Sequence, residues 1–219
     1  MKSVLISIQP KWCELIASGQ KTVEVRKSKP KLETPFKVYI YATKPQKQFD
    51  YGLCLDEGRV GLVCKINYEL AKSYNMEIIS GKVLGEFVCD SVEIFRYDAL
   101  DMAYMARKHR DTKLLSEEFF KGTQVTYQEA YDYCEGMDWG ENYSDLFYGW
   151  RISDLKIYDK PRELSEFYAE GDCDYKNCSQ CGRLKFISAS KAECDLEEGY
   201  KPITRPPQSW CYVESEDTE

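Results

Sequence analysis

The N-terminal segment carries a fixed order of hydrophobic patterns that restricts the folds open to this chain. A short apolar run, SVLIS, predicts a strand. Pro10 follows and suits the first turn of a helix, where the missing N–H of proline costs nothing. Gly19 is placed to cap the end of that helix. The alternating run TVEVR then predicts a strand with valines on one face and charged side chains on the other.

Further strand patterns recur along the chain, whereas helical patterns are few. Strands are predicted at residues 36–42, 59–66, 82–95 and 150–158. A helix is predicted at 99–110, and another follows a capping box formed by Thr126 and Glu129. This order predicts an α+β fold, in which a small β-barrel or curled sheet carries flanking helices.

Length and composition indicate one folded core with at most a small appendage. The chain has 219 residues, of which 43% are hydrophobic and 14% aromatic, as in globular proteins. The apolar run near Met1 is too short for a signal peptide or a membrane span. We therefore expect a cytoplasmic protein with no membrane partner and with reduced cysteines.

Charge is distributed unevenly along the chain. The net charge of −7 argues against non-specific binding of nucleic acid, which requires neutralisation of phosphates. Residues 1–50 nevertheless carry ten Lys and Arg against four Asp and Glu, a balance of +6, whereas residues 51–219 have a balance of −13. This asymmetry suits one binding face on an otherwise acidic body.

The basic stretch after Gly19 groups three complementary side chains: Lys21, Glu24 and Arg26. Glu24 and Arg26 are two positions apart on one strand face, about 7 Å from each other, so they can pair or jointly hold a ligand. Arginine offers a fork that suits phosphate, and lysine offers a point charge. The carboxylate adds an acceptor for the exocyclic amine of a base, or a general base. The alternative interpretation is a solvated strand face.

The segment SIQPKWCELIASGQKTVEVR resembles the ASCH domain family, a branch of the PUA-like β-barrels. The family motif G-x-K-x-x-E-x-R is present as Gly19, Lys21, Glu24 and Arg26. The resemblance extends over about residues 1–160, including GEF at 85–87. It implies a small barrel with a cleft into which the motif side chains project, and a role in binding RNA or a modified nucleotide.

The same resemblance implies an alternative function as a hydrolase acting on RNA or a modified nucleoside, a ribonuclease or an amidohydrolase. One ASCH subgroup removes an acetyl group from a modified cytidine and has a nucleophilic threonine where this chain has Glu24. That nucleophile is absent here, so Lys21 and Glu24 would carry proton transfer if the protein is an enzyme. Thr22 shares the strand face and is a further ligand-binding candidate. His109 is interpreted as part of a solvated, basic helix end.

Aromatic residues are concentrated in residues 131–150, which contain seven of them. Core packing is one interpretation. The other is that Trp139 or Tyr143, in the glycine-rich part, forms a wall against which a base stacks. Glu129 is explained by the capping box but could also act as a second acid.

The chain changes character after residue 167, which predicts an ASCH domain at 1–167 and a small cysteine-rich unit at 168–219. Its CSQCG turn is typical of structural zinc sites, and a small unit with few large apolar residues needs such a staple. Four of five cysteines would bind the metal: Cys173, Cys178, Cys181, Cys194 and Cys211. Reduced thiols or a redox role are the alternatives, and a zinc-stapled protein-interaction module is a further candidate function.

Overall fold

The computed structural model describes most of the N-terminal part of the chain and several segments of the rest. The described residues are 2–44, 51–55, 63–67, 73, 80–96, 112–114, 116–134, 146–170, 184–188, 191–194 and 200–214. The chain divides into two compact units. Unit 1 comprises Met1–Cys13, Lys37–Glu86 and Lys156–Glu219, and unit 2 comprises Glu14–Phe36 and Phe87–Leu155.

The described elements are mostly strands. The strands are β1 (Lys2–Ile8), β2 (Val23–Arg26), β3 (Phe36–Ala42), β4 (Tyr51–Leu55), β5 (Val63–Asn67), β6 (Val83–Arg96), β7 (Thr112–Leu114), β8 (Leu146–Arg162), β9 (Tyr168–Glu170), β10 (Leu184–Ser188), β11 (Lys191–Cys194), β12 (Tyr200–Pro202) and β13 (Trp210–Glu214). The helices are α1 (Pro10–Ala17), α2 (Glu117–Thr123) and α3 (Tyr127–Cys134), with one 3-10 turn at Leu164–Glu166.

Unit 1 is organised around β1, which is buried at every position after Lys2. This strand pairs in parallel with β3 and antiparallel with β13, where Leu5 lies opposite Cys211. The core beside it consists of large apolar side chains: Leu5, Tyr39, Tyr41, Val83, Leu164, Phe167, Ile203 and Val213. A strand covered on both faces is mostly apolar, as SVLIS is, and the hydroxyl of its buried Ser7 donates to the Pro207 carbonyl at 2.6 Å.

Unit 2 contains the later part of β6, the first part of β8, and β2, β7, α2 and α3. Strand β2 pairs antiparallel with β8, and its Val25 lies opposite Gly149. A Cβ atom on Gly149 would lie 2.7 Å from the ring of Phe95, so a glycine is required where β8 passes this ring. Phe95, Phe119 and Phe147 form the core of this unit.

The predicted α+β class is confirmed, with a core that is mostly sheet. The predicted closed barrel is not seen: in the described residues the larger sheet has the order β13-β1-β3-β6-β8-β2 and ends at β13 and β2. The strand β2 has only four residues, all paired with β8, and β13 is paired with β1. No helix within the described ranges is long and apolar enough to cross a membrane.

Most local predictions agree with the structure, and the exceptions are short elements. The strand predicted at 36–42 is β3, and Pro10 begins α1 as expected. Helix α2 was not predicted; it has seven residues and is capped at its N-terminus by Ser116, whose hydroxyl accepts from the backbone N–H of Phe119. The helix predicted at 99–110 lies outside the described residues.

The C-terminal segment is divided between described and undescribed parts. Residues 200–202 pair with β9, and β13 pairs with β1, so both belong to the sheets of unit 1. The boundary predicted at residue 167 stays a prediction.

Candidate functional site

The end of α1 places Lys21 at the start of β2. Gly19 adopts a left-handed φ of +73°, which favours glycine, and its N–H donates to the Ile16 carbonyl at 2.9 Å. The N–H of Lys21 donates to the Leu15 carbonyl at 2.9 Å and fixes the turn. The predicted cap at Gly19 is therefore confirmed, and it determines where the charged side chains begin.

Lys21, Glu24 and Arg26 form one ion cluster, which we call the motif triad. Arg26 Nη2 donates to Glu24 Oε1 at 2.8 Å, and Lys21 Nζ lies 3.5 Å from the other oxygen, Oε2. Lys21 Nζ also donates to the carbonyl oxygen of Thr123, at the end of α2, at 2.7 Å. Each oxygen of the carboxylate thus faces one cation.

The motif triad is buried, which excludes the interpretation of β2 as a strand with a solvated charged face. The side chains of Lys21, Glu24 and Arg26 are 2%, 6% and 11% exposed. The valines on the opposite face of β2 are only half-buried. The charged face is therefore the better covered of the two, the reverse of what alternation alone suggests.

Burial lowers the pKa of the Lys21 ammonium, because removal from water penalises its charged form. The carboxylate of Glu24 opposes this effect, the Arg26 guanidinium reinforces it, and Glu129 acts in the same direction as Glu24. Helix α3 therefore adds a second carboxylate to the electrostatic surroundings of Lys21.

Strand β8 supplies two aromatic neighbours that sequence reasoning did not assign to the site. Trp150 lies opposite Glu24 and Tyr148 lies opposite Arg26 in the β2–β8 register. Trp150 is fully buried and meets Phe36 edge-to-face, with ring centroids 5.7 Å apart. Pairing the predicted β2 with the predicted strand at 150–158 could have suggested Trp150. No sequence pattern could have identified the Thr123 carbonyl as a contact of Lys21, because every residue has a carbonyl.

Residues 6–82 match the family model of the ASCH domain. The segment from residue 6 to residue 82 is therefore similar to the ASCH domain. The motif positions Gly19, Lys21, Glu24 and Arg26 all lie inside the matched segment.

Solved structures similar to this chain include three of an ASCH protein from Zymomonas mobilis. The crystal structure of ASCH from that organism has 16% identity and a TM-score of 0.47, and the match covers 99% of this chain and 90% of the other. A mutant of that protein, with one tyrosine replaced by phenylalanine, has 17% identity and a TM-score of 0.43 over 98% and 91% of the two chains. A second mutant, with one serine replaced by alanine, has 16% identity and a TM-score of 0.41 over 97% and 88%. No curated protein matches the sequence significantly.

Thr22 and Glu129, the other candidates near the ASCH motif, take part in hydrogen bonds outside the motif triad. Thr22 is exposed; its N–H donates to the Gly122 carbonyl at 2.8 Å, and its own carbonyl accepts from Ile152 at 2.9 Å. The capping box at Thr126 is confirmed, since the Thr126 N–H donates to Glu129 Oε2 at 2.9 Å and the Glu129 N–H donates to Thr126 Oγ1 at 3.2 Å.

Several predicted residues lie outside the described part of the chain. These are Trp139, Tyr143 and His109, and the cysteines Cys173, Cys178 and Cys181. Cys194 lies in β11. Cys211 packs against the core of unit 1, where burial raises the pKa of its thiol to about 11. Within the described residues, no cluster of His, Cys, Asp and Glu has the arrangement of a metal site.

In the wild type we expect the free energy of unfolding to rise with pH. We expect Lys21→Met to abolish this rise. Because the folded-state pKa of Lys21 is lowered, the unfolded chain binds more protons between that pKa and about 10.4, so the free energy of unfolding rises with pH across this window. Urea unfolding from pH 7 to 9.5 would measure it. Lys27→Met, at an exposed position of the same segment, should keep the wild-type slope; equal slopes in all three proteins would contradict the expectation.

Proposed function

We propose that the ASCH domain of this protein recognises RNA or a modified nucleotide at the motif triad. The observation that carries the proposal is the buried Glu24 carboxylate, shared between Arg26 at 2.8 Å and Lys21 at 3.5 Å. ASCH domains are commonly linked to RNA binding. The positive balance of residues 1–50 provides the long-range attraction that such a ligand requires.

The energetics of the triad support a functional rather than a purely structural role. Taking charges out of water carries a penalty of several kcal/mol per ion, and well-packed apolar side chains of similar volume are often as stable. Ionisable groups with shifted pKa values that sit together are typical of functional sites. Lys21, with its lowered pKa, fits that description.

The exposure of the three side chains suggests how a ligand would meet them. Arg26 is the most exposed member, so its guanidinium is the first group that an incoming phosphate would reach. Glu24 uses one contact on each oxygen, and a carboxylate oxygen has a second lone pair. That lone pair could accept an exocyclic amine of a base.

We expect Arg26→Ala to weaken binding of a fluorescein-labelled single-stranded RNA by about tenfold and to reduce the slope of log K against log salt by about one. The reason is the loss of one phosphate contact and its released counterion. Fluorescence anisotropy between 50 and 200 mM salt measures both quantities. Arg151→Ala is the matched control, because Arg151 is an exposed arginine on the neighbouring strand, opposite Val23.

Unchanged affinity and salt slope in Arg26→Ala would contradict the proposal. Arg26→Lys, which keeps the charge but loses the fork, separates phosphate geometry from charge: we expect it to keep the salt slope while losing part of the affinity.

A hydrolase acting on RNA or a nucleoside is the second candidate function. The specific observation in its favour is the lowered pKa of Lys21, because a lowered pKa favours the neutral amine, the form that accepts a proton, beside a carboxylate. Incubating the protein with single-stranded RNA and with acylated nucleosides, followed by mass spectrometry, tests it. A product that disappears in Lys21→Met would establish this function in place of simple recognition.

We also propose that the cysteine-rich segment binds one structural zinc ion. Two cysteines separated by two residues at Cys178 and Cys181 suit a tetrahedral site, which two more distant cysteines can complete. Cys211 is the least suitable of the five, since its thiol packs against the apolar core of unit 1. The preferred set is therefore Cys173, Cys178, Cys181 and Cys194. A zinc-stapled segment of this kind could also bind a protein partner.

A further inference from the structure

We propose that Tyr133 on α3 is a stacking platform for a base of single-stranded RNA, and that the exposed lysines after β2 bind the flanking phosphates. This inference rests on the proposed function and names the surface through which the ligand approaches. It follows from the burial of the motif triad: the Lys21 side chain is only 2% exposed, so of the two cations Arg26 alone is placed to reach a phosphate. The phosphates of a bound strand need cations that stand in water.

Tyr133 is one of two large hydrophobic side chains that are exposed in the described part of the chain; the other is Tyr127. Its ring is nonetheless fixed, because it stacks on Phe147 with a centroid distance of 5.7 Å and an interplanar angle of 21°. Phe147 is fully buried in the core of unit 2. The tyrosine ring is thus held in place by the core while more than a third of the residue remains in solvent, as a base-stacking platform requires.

One basic side chain contacts this ring, and two more follow it in the same loop. Lys27 Nζ lies over the Tyr133 ring, 4.6 Å from its centroid. Lys27, Lys29 and Lys31 are all exposed, whereas Pro30 between them is buried and anchors the loop. The same loop follows Arg26 directly, so the lysines and the motif triad lie in one unit of the fold. An exposed lysine over an aromatic ring, in a loop with two further exposed lysines, combines the stacking surface and the positive charge that single-stranded nucleic acids bind.

The contact between Lys27 and Tyr133 also suggests how the surface would respond to RNA. An exposed cation–π contact is weaker than the stacking of a base on an aromatic ring. A base can therefore replace the ammonium group over the ring, and the displaced Lys27 becomes available for the adjacent phosphate. Duplex RNA lacks this option, since its bases are already stacked on one another. The proposal consequently commits to single strands.

The test uses the full chain and a single-stranded ten-nucleotide RNA of adenosines with one central 2-aminopurine, whose fluorescence falls when it stacks. We expect Tyr133→Ala to weaken binding roughly 5- to 100-fold and to abolish the quenching, as loss of one stacked base implies. Tyr133→Phe keeps the ring and should bind within about twofold of wild type. Tyr133→Leu, which keeps Phe147 covered without a flat ring, should behave as Tyr133→Ala.

Two controls separate stacking from charge and from folding. Tyr127→Ala removes the more exposed tyrosine of the same helix and should leave affinity and quenching unchanged. Lys29→Ala should reduce the salt slope by about one while quenching persists. Wild-type binding with full quenching in Tyr133→Ala and Tyr133→Leu would overturn this inference but leave the proposed function standing. A wild-type protein that binds no RNA would overturn both.

Discussion

Glu24→Gln is expected to lower the free energy of unfolding by about 3–5 kcal/mol. The substitution preserves the size of the side chain, so it leaves no cavity, but it removes the charge that both Lys21 and Arg26 contact. Two buried cations would then lie close together without the carboxylate that both of them contact. Urea unfolding followed by tryptophan fluorescence measures the loss, and fully buried Trp150, opposite Glu24, is one of the four tryptophans that contribute to the signal.

The matched control is Glu170→Gln, which removes an equally close but exposed ion pair. Glu170 Oε2 lies 2.9 Å from Lys2 Nζ, yet the side chains are 68% and 51% exposed. Exposed pairs gain little from their attraction, because water and salt screen it. We therefore expect almost no change in this variant. Similar stabilities of the two variants would mean that the Glu24 cluster is not the desolvated ion cluster described above.

Removal of zinc is expected to have the second large effect. Purified protein should contain about one zinc ion per chain, and structural zinc contributes on the order of 10 kcal/mol to the order of its ligands. Chelation should accelerate amide hydrogen exchange between residues 171 and 199. The amides of β13 should stay protected, because they pair with β1. Metal analysis and exchange mass spectrometry measure the two outcomes.

Cysteine variants provide the control for the zinc expectation. Cys178→Ser should lose the metal, whereas Cys211→Ser should retain it, since Cys211 packs against the core of unit 1. A metal-free protein with unchanged exchange on chelation would contradict the zinc proposal and favour reduced thiols. Loss of zinc in Cys211→Ser would reverse the preferred ligand set.

Local sequence patterns predicted the frame of the site but not its environment. Gly19 and the capping box at Thr126 were identifiable because each depends on hydrogen bonds within a few residues. Alternation placed Glu24 and Arg26 on one face of β2, as observed. Alternation does not say which face is covered, since that depends on distant elements. The covering contact of Lys21 comes from the carbonyl of Thr123, far along the chain.

The strand around Cys211 could not be predicted from the sequence for a similar reason. A period-2 pattern reports strand formation, whereas the partner of a strand is chosen by tertiary packing. The run around Cys211 contains cysteine, proline and tryptophan, which suggested a metal-bound unit rather than a strand of unit 1. Its pairing with β1 became apparent only with the fold. The open sheet was missed for the same reason, because strand order is not encoded in any single pattern.

The pairing of β1 with β13 has a consequence for how the chain is made. During translation, β1 meets its parallel neighbour β3 early, but the partner of Leu5 is Cys211, which is synthesised much later. An apolar strand with an open edge invites pairing with other chains. The nascent protein therefore carries this edge until β13 emerges, and a premature stop before Trp210 would leave it permanently uncovered.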